Sequence, residues 1–224
     1  MKIYQPIAGV LLAALLSACG GGGGDATPVA AASFPLDAAY TKAITNGVNL
    51  NGTAIDGSDT HTMSVSITPA TDAMFEGVVR KKSIQALTIK KNGSVLGVTN
   101  IDLYYSLNPF TPQGASYSDG TYAVQTSIVG AFPATAKVGD SGALGTLTLY
   151  TNASKATVQS TTQSTWTLEA DTATTAFGCV NSVIKSASGV QTGTGAGCYK
   201  IDTNGNVLGM RFTLSVAGKT LVFK

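Results

Sequence analysis

Hydrophobic and polar residues alternate along most of this chain. In THTMSVSIT (60–68), Met63, Val65 and Ile67 fall on one side, and Thr62, Ser64 and Ser66 on the other. TWTLEA (165–170) repeats the pattern with Trp166, Leu168 and Ala170, and MRFTLSV (210–216) with Met210, Phe212, Leu214 and Val216. Successive side chains of a strand point to opposite faces, so this period predicts sheets with one buried and one wet face. Asn92-Gly93, Asn204-Gly205 and Asp119-Gly120 lie between strand-like runs. Such pairs tolerate the positive φ that two-residue hairpin turns demand, so each predicts a hairpin. Only LDAAYTKAI (36–44) has a helical period, with Leu36, Tyr40 and Ile44 on one stripe. The expected fold class is all-β: antiparallel hairpins forming a barrel or a sandwich.

An internal similarity refines this picture. IKKNGSVLGVTNIDL (89–103) matches IDTNGNVLGMRFTL (201–214), and upstream 62–79 resembles 165–183. These matches suggest a duplication into two similar β-subunits, with halves 46–115 and 135–224. Phe177 stands further from Asn204 than Phe75 does from Asn92, which places extra residues in SASGVQTGTGAG (186–197), read as a long hairpin loop.

The first residues carry a different signal. Lys2, an apolar run from Ile7 to Leu16 and the small residues Ser17 and Ala18 make a secretory signal peptide over 1–18. The run is shorter than the about 20 apolar residues needed to span a bilayer. Leu16-Ser17-Ala18-Cys19 resembles the lipobox of bacterial lipoproteins. That resemblance implies a diacylglyceryl group on the Cys19 sulfur, cleavage before Cys19 and an acylated (palmitate-like) amino group. It thereby implies attachment to a membrane, because two or more acyl chains give stable anchoring. Gly20, where an Asp would favour the inner membrane, implies outer-membrane localisation in a Gram-negative host, on the periplasmic or the surface face. Gly20 to Gly24 and the Ala-rich stretch that follows make 19–35 a flexible linker reaching about 20 Å. A cysteine followed by glycines is also similar to the leaders of transferrin-binding-type surface lipoproteins, whose lobes are β-barrels. The body, 36–224, resembles no named family.

Charge narrows the partners. The chain has 14 basic and 12 acidic residues; removal of Lys2 with the signal leaves 13 − 12 = +1. A nearly neutral chain has no single-sign field to attract nucleic acid. Charged residues are only 12% of the total, so Ser, Thr, Asn and Gln must carry the wet faces.

Of three cysteines, Cys19 is assigned to lipid, which leaves Cys179 and Cys198 as an expected disulfide in an oxidising compartment. The bond is worth about 3 kcal/mol in the chain-entropy account. No Cys-x-x-Cys spacing or nearby His suggests a metal site. His61 is the sole histidine, beside Asp59 at the rim of an alternating strand, and no Gly-x-Ser-x-Gly elbow offers a nucleophile. Glu76 and Glu169 are the sole glutamates and form no evident acid–base pair. DTNGNVLG (202–209) starts like a calcium loop, but Val207 replaces its essential glycine and Thr213 its bidentate glutamate. Arg80, Lys81, Lys82, Lys90 and Lys91 bracket one strand, as loop-end charges or as contacts for anionic lipid. Tyr117 and Tyr122, flanking Asp119-Gly120, are expected cross-strand on one face, where they could stack on a ligand; Tyr104, Tyr105 and Phe110 are near in sequence.

The expectation is a non-enzymatic lipoprotein of the outer membrane with a binding or envelope-structural role and no cofactor. Two alternatives stand beside it: a carrier holding a lipid or other apolar ligand in an open barrel, and a surface receptor or adhesin. The protein, glycan or lipid ligand is not specified by the sequence.

Overall fold

A computed structural model describes residues 32–216 and 219–224. The signal segment 1–18, Cys19 and the glycine run lie outside the described residues. The elements are β1 (Ser33–Phe34), α1 (Leu36–Asn46), β2 (Val48–Asp56), β3 (Asp59–Phe75), β4 (Val78–Lys91), β5 (Ser94–Ser106), β6 (Thr111–Tyr117) and β7 (Tyr122–Ile128). They continue as β8 (Ala136–Lys137), β9 (Ser141–Tyr150), β10 (Val158–Ala170), β11 (Thr175–Ser186), β12 (Gln191–Asp202), β13 (Val207–Val216) and β14 (Lys219–Phe223).

Twelve strands, β2 to β7 and β9 to β14, pair antiparallel with their neighbours in one sheet. The sheet curls until its two end strands meet. Thr53 N–H donates to Lys224 O at 2.9 Å and Lys224 N–H donates to Thr53 O at 3.1 Å. The result is a nearly closed up-and-down barrel rather than a sandwich, its seam bridged among the described residues by this residue pair. β1 and β8 form a separate two-stranded ribbon.

Alternation sorts side chains as expected. Met63, Ile67, Trp166, Leu168, Ile201 and Phe223 are buried inside the barrel, while Thr60, Ser64 and Thr68 of β3 are exposed outside. A bilayer-spanning barrel reverses this, with an apolar band outward and polar residues in the lumen. No helix among the described residues is long and apolar enough to cross a membrane.

The helix forms where its period predicted, with Leu36, Ala39, Tyr40, Ala43 and Ile44 buried. It lies against one end of the barrel. The Asp37 carboxylate accepts from Phe110 N–H at 2.9 Å, and Asp37 N–H donates to Pro133 O at 3.1 Å. Phe34 and Leu36, 1% and 0% exposed, drive into the core from this cap. Burial of each contributes about 1.5–3 kcal/mol. Ser33 and Phe34, assigned above to the linker, therefore belong to the folded body.

The expected halves are not separate subunits, since one sheet runs through both. Asn92-Gly93 joins β4 to β5, directly after the strand that ends the first match, whereas Asn204-Gly205 joins β12 to β13, a strand further on. Residues 186–197 are not a floppy loop either. Ser186 ends β11 and Gln191–Gly197 are strand, paired with both β11 and β13.

Candidate ligand cavity inside the barrel

Between α1 and the walls made by β4 to β7 and β9 to β12, the core leaves a cavity of about 320 Å³. Its lining comes from inward strand positions and the helix. Ile101 and Leu103 of β5, Leu147 of β9 and Val180 of β11 supply aliphatic wall. Tyr40 supplies the roof with Phe132, which enters from the segment between β7 and β8. Those two rings stack at 4.0 Å with 10° between planes; Phe110 lies 6.5 Å from Tyr40, and Tyr199 lies tilted at 5.2 Å. Tyr40 is locked in place, because its hydroxyl donates to Gly178 O at 3.0 Å. Burial, and secondarily the neighbouring Tyr199, hold its pKa well above the ordinary phenol value.

Tyr117 reaches the cavity through a turn that the sequence reading placed wrongly. That reading used a two-residue Asp119-Gly120 loop, which sets Tyr117 opposite Tyr122. Instead Tyr117 N–H donates to Thr121 O, Gly120 N–H to Tyr117 O, and Thr121 N–H to Asp119 Oδ1. Three residues, Ser118 to Gly120, thus make the loop, with Gly120 at φ 90°. The ladder then pairs Ser116 with Tyr122. A shift of one residue moves a side chain to the other face, so Tyr117 lines the lumen and Tyr122 lies outside. The two tyrosines do not form a shared stacking platform.

The lumen is polar at a few points only. Gln85, Gln125 and Ser164 join the lining; Gln125 Nε2 donates to Ser127 O at 2.9 Å, and Ser164 and Ser182 share a hydrogen bond at 3.0 Å. The hydroxyls of Tyr117 and Tyr199 have no hydrogen-bond partner among the described residues. Burial raises both, that of Tyr199 to about 12, so both stay protonated at neutral pH.

Other candidates are accounted for by structure. Outside the barrel, Phe75 stacks on Tyr104 at 4.3 Å and meets Tyr122 at 5.3 Å. The Tyr122 hydroxyl donates to Glu76 Oε1 at 2.8 Å, and Lys155 pairs with the same carboxylate. These hydrogen bonds, Lys155 foremost, hold the Glu76 carboxyl below its usual value. Phe75 is only 4% exposed and covers Gly114, so this aromatic group is packed against its own wall. His61 lies on the inner face between Ala54 and Lys91 in the ladder, buried, with Nδ1 unpartnered. Asp59 points instead to Lys91 and Asn92, which lower its pKa. Lys81 pairs with Asp72 at 2.9 Å and Lys82 with Asp102 at 2.8 Å. Asp202 binds its own turn, accepting from Asn206 N–H at 2.8 Å and Asn204 N–H at 2.9 Å.

Cys179 and Cys198 are joined by a disulfide and face each other directly in the β11–β12 ladder, Cα atoms 3.9 Å apart. Arg211, from β13, lies over them. It pairs with Glu169, approaches both sulfurs at 3.5 to 3.6 Å, and stands 4.5 Å from the centre of the Phe177 ring. Glu169 and the two sulfurs cluster like metal ligands. Sulfurs bonded to each other offer no thiolate, however, and the guanidinium occupies the remaining approach.

Sequence reasoning missed Phe132 and Tyr199 as wall residues. Phe132 lies in GAFPA, outside any alternating run, and an aromatic in such a segment was the only available signal. The fold and lumen define an all-β barrel whose interior carries a mainly apolar cavity. No protein family, curated protein or solved structure matches the chain.

Proposed function

We propose that this protein is a lipid-anchored, non-enzymatic component of the outer membrane whose barrel holds a small apolar molecule in its lumen. The observation that carries this reading is the cavity of about 320 Å³ beneath the Tyr40–Phe132 roof. The cavity lies within the range of small-molecule sites, about 300–1,000 Å³, and has their composition of apolar wall with a few polar points. The N-terminal pattern ending at Cys19 supports the anchor, which would keep the body near a membrane from which apolar ligands partition.

The test is binding of the uncharged dye Nile red to the full chain, compared with a Leu147→Trp variant that fills the cavity. Dye fluorescence that falls at least tenfold in the variant, with its circular dichroism unchanged, supports the reading. Equal fluorescence from both proteins removes it.

A further inference from the structure

The cavity's chemistry restricts its occupant further, an argument that rests on the reading above. None of its lining residues is charged. The basic groups at the end of the adjoining strand are already paired: Lys82 with Asp102 on the outer face, and Lys81, on the same side of the strand as Ser83 and Gln85, with Asp72. A carboxylate or ammonium brought inside would lose its water and meet no counter-charge, which is heavily unfavourable. Fatty acids in their ionised form and other anionic lipids are thereby disfavoured.

The polar points face the opposite way. Tyr117 and Tyr199 both line the cavity, and no protein acceptor for either hydroxyl occurs among the described residues. Neither hydroxyl is among the buried polar atoms that lack a partner, so both are accessible and free to donate to an acceptor on a ligand. Gln85 adds an amide to the same wall. The roof is aromatic: Tyr40 and Phe132 are stacked on each other nearly parallel, and Phe110 is within 17° of parallel to Phe132 at 6.3 Å. Aromatic rings prefer offset stacking, so this roof favours a flat ring over a flexible chain. The volume, at the lower end of the small-molecule range, excludes a two-chain phospholipid.

We infer that the cavity takes an uncharged, ring-bearing apolar molecule, of the quinone type, whose carbonyl oxygens accept hydrogen bonds from Tyr117 and Tyr199. The roof stacks on the ring, the aliphatic wall of Leu103, Leu147 and Val180 surrounds any substituent, and the tyrosines fix its orientation. The interaction is non-covalent and no electron transfer is involved.

The experiment uses the full chain at constant detergent, with tritiated menadione as the neutral ring and tritiated palmitate as the anionic chain, bound probe being counted after rapid desalting. The expected result is menadione binding at least tenfold tighter than palmitate. Binding should weaken about tenfold in a Tyr117→Phe/Tyr199→Phe double variant, which keeps every ring, and should disappear in Leu147→Trp. Ala131→Trp, on the loop wall, is the alternative filler if the strand variant does not fold. Palmitate binding as tight as menadione, lost on filling, would overturn the ligand class while leaving the carrier reading intact. Menadione binding unchanged in the double variant would overturn the role of the two hydroxyls. Binding of neither probe, together with no Nile red signal above that of the filled variant, would remove both this inference and the function beneath it.

Discussion

The cap helix and the barrel wall interlock at Gly178, and this contact makes a sharp prediction. A Cβ added there would lie 2.5 Å from Leu36 Cδ1, 3.7 Å from Ile201 Cδ1 and 3.8 Å from Tyr40 Cε2. Leu36 has no exposed surface, so its end cannot swing into solvent. Overpacking of this kind costs about 1–3 kcal/mol. Gly178→Ala should therefore lower Tm by roughly 2–12 °C, at the 2–4 °C per kcal/mol typical of this size. Leu36→Ala alone removes the clashing atom but leaves a hole, at about 2–5 kcal/mol. In the double variant the added methyl occupies part of that hole and meets no clash. The double variant should thus be more stable than the sum of the single losses predicts, by more than about 1 kcal/mol. Urea titrations of the four proteins, followed by circular dichroism, give the coupling directly. Additivity within about 0.5 kcal/mol would mean that Leu36 and Gly178 do not touch, and would refute the placement of the helix.

Three further outcomes follow from other contacts. Gly114→Ala would put a methyl 2.3 Å from the Ala123 carbonyl oxygen and 2.4 Å from Phe75 Cζ; because one of these is backbone, the loss should be about 3 kcal/mol or more, read as a fall in the urea midpoint. Replacing Cys179 and Cys198 together by Ala should cost about 3 kcal/mol, and in the native protein the bond should resist mild reductant, since its sulfurs lie in residues 0% and 2% exposed. Asp59, Asp171 and Asp202 all have carboxyls held below their ordinary value by hydrogen bonds, from Lys91, Lys200 and the Asn206 backbone respectively. A depressed folded-state pKa adds stability that is present above the unfolded value, near 4, and is lost as pH falls through the folded one. Tm should therefore be level from neutral pH down to about 5 and fall below about 4. Asp202→Asn should reduce that acid sensitivity, and an identical pH profile for the variant would tell against the turn geometry.

Much of this architecture was legible because it rests on periodicity and on a few turn pairs. Strand β3 follows from Met63, Val65 and Ile67, helix α1 from Leu36, Tyr40 and Ile44, and Asn92-Gly93 takes positive φ at both residues. The misreadings have physical causes. Gly193, Gly195 and Gly197 occupy inward positions of β12, opposite Ile184, Ser182 and Val180. That segment alternates, but with glycine as its inner residue, so hydrophobicity alone hides the strand and suggests a loop. Glu76-Gly77 makes a tight turn with φ 49° and 75°, although Glu carries no such preference. At Asp119 the carboxylate captures Thr121 N–H and adds a residue to the loop, a side-chain choice that inverts the facing of Tyr117. The cavity was beyond reach for another reason. It exists where Phe132, Tyr199 and Tyr117 come together from distant segments, and volume left between side chains has no signature in any one of them.

The seam at Thr53 and Lys224 bears on how such a wall is assembled. Every other pairing in the twelve-stranded sheet joins strands that follow one another, save for the short detour through β8 between β7 and β9. Hairpins can thus be added one after another by local search, and only the final rolling-up depends on distant parts of the polypeptide finding each other. A chain that loses its last few residues should still lay down most of its ladders. It would then remain an unrolled ribbon with its greasy side uncovered, a species prone to stick to its own kind rather than one that simply falls apart.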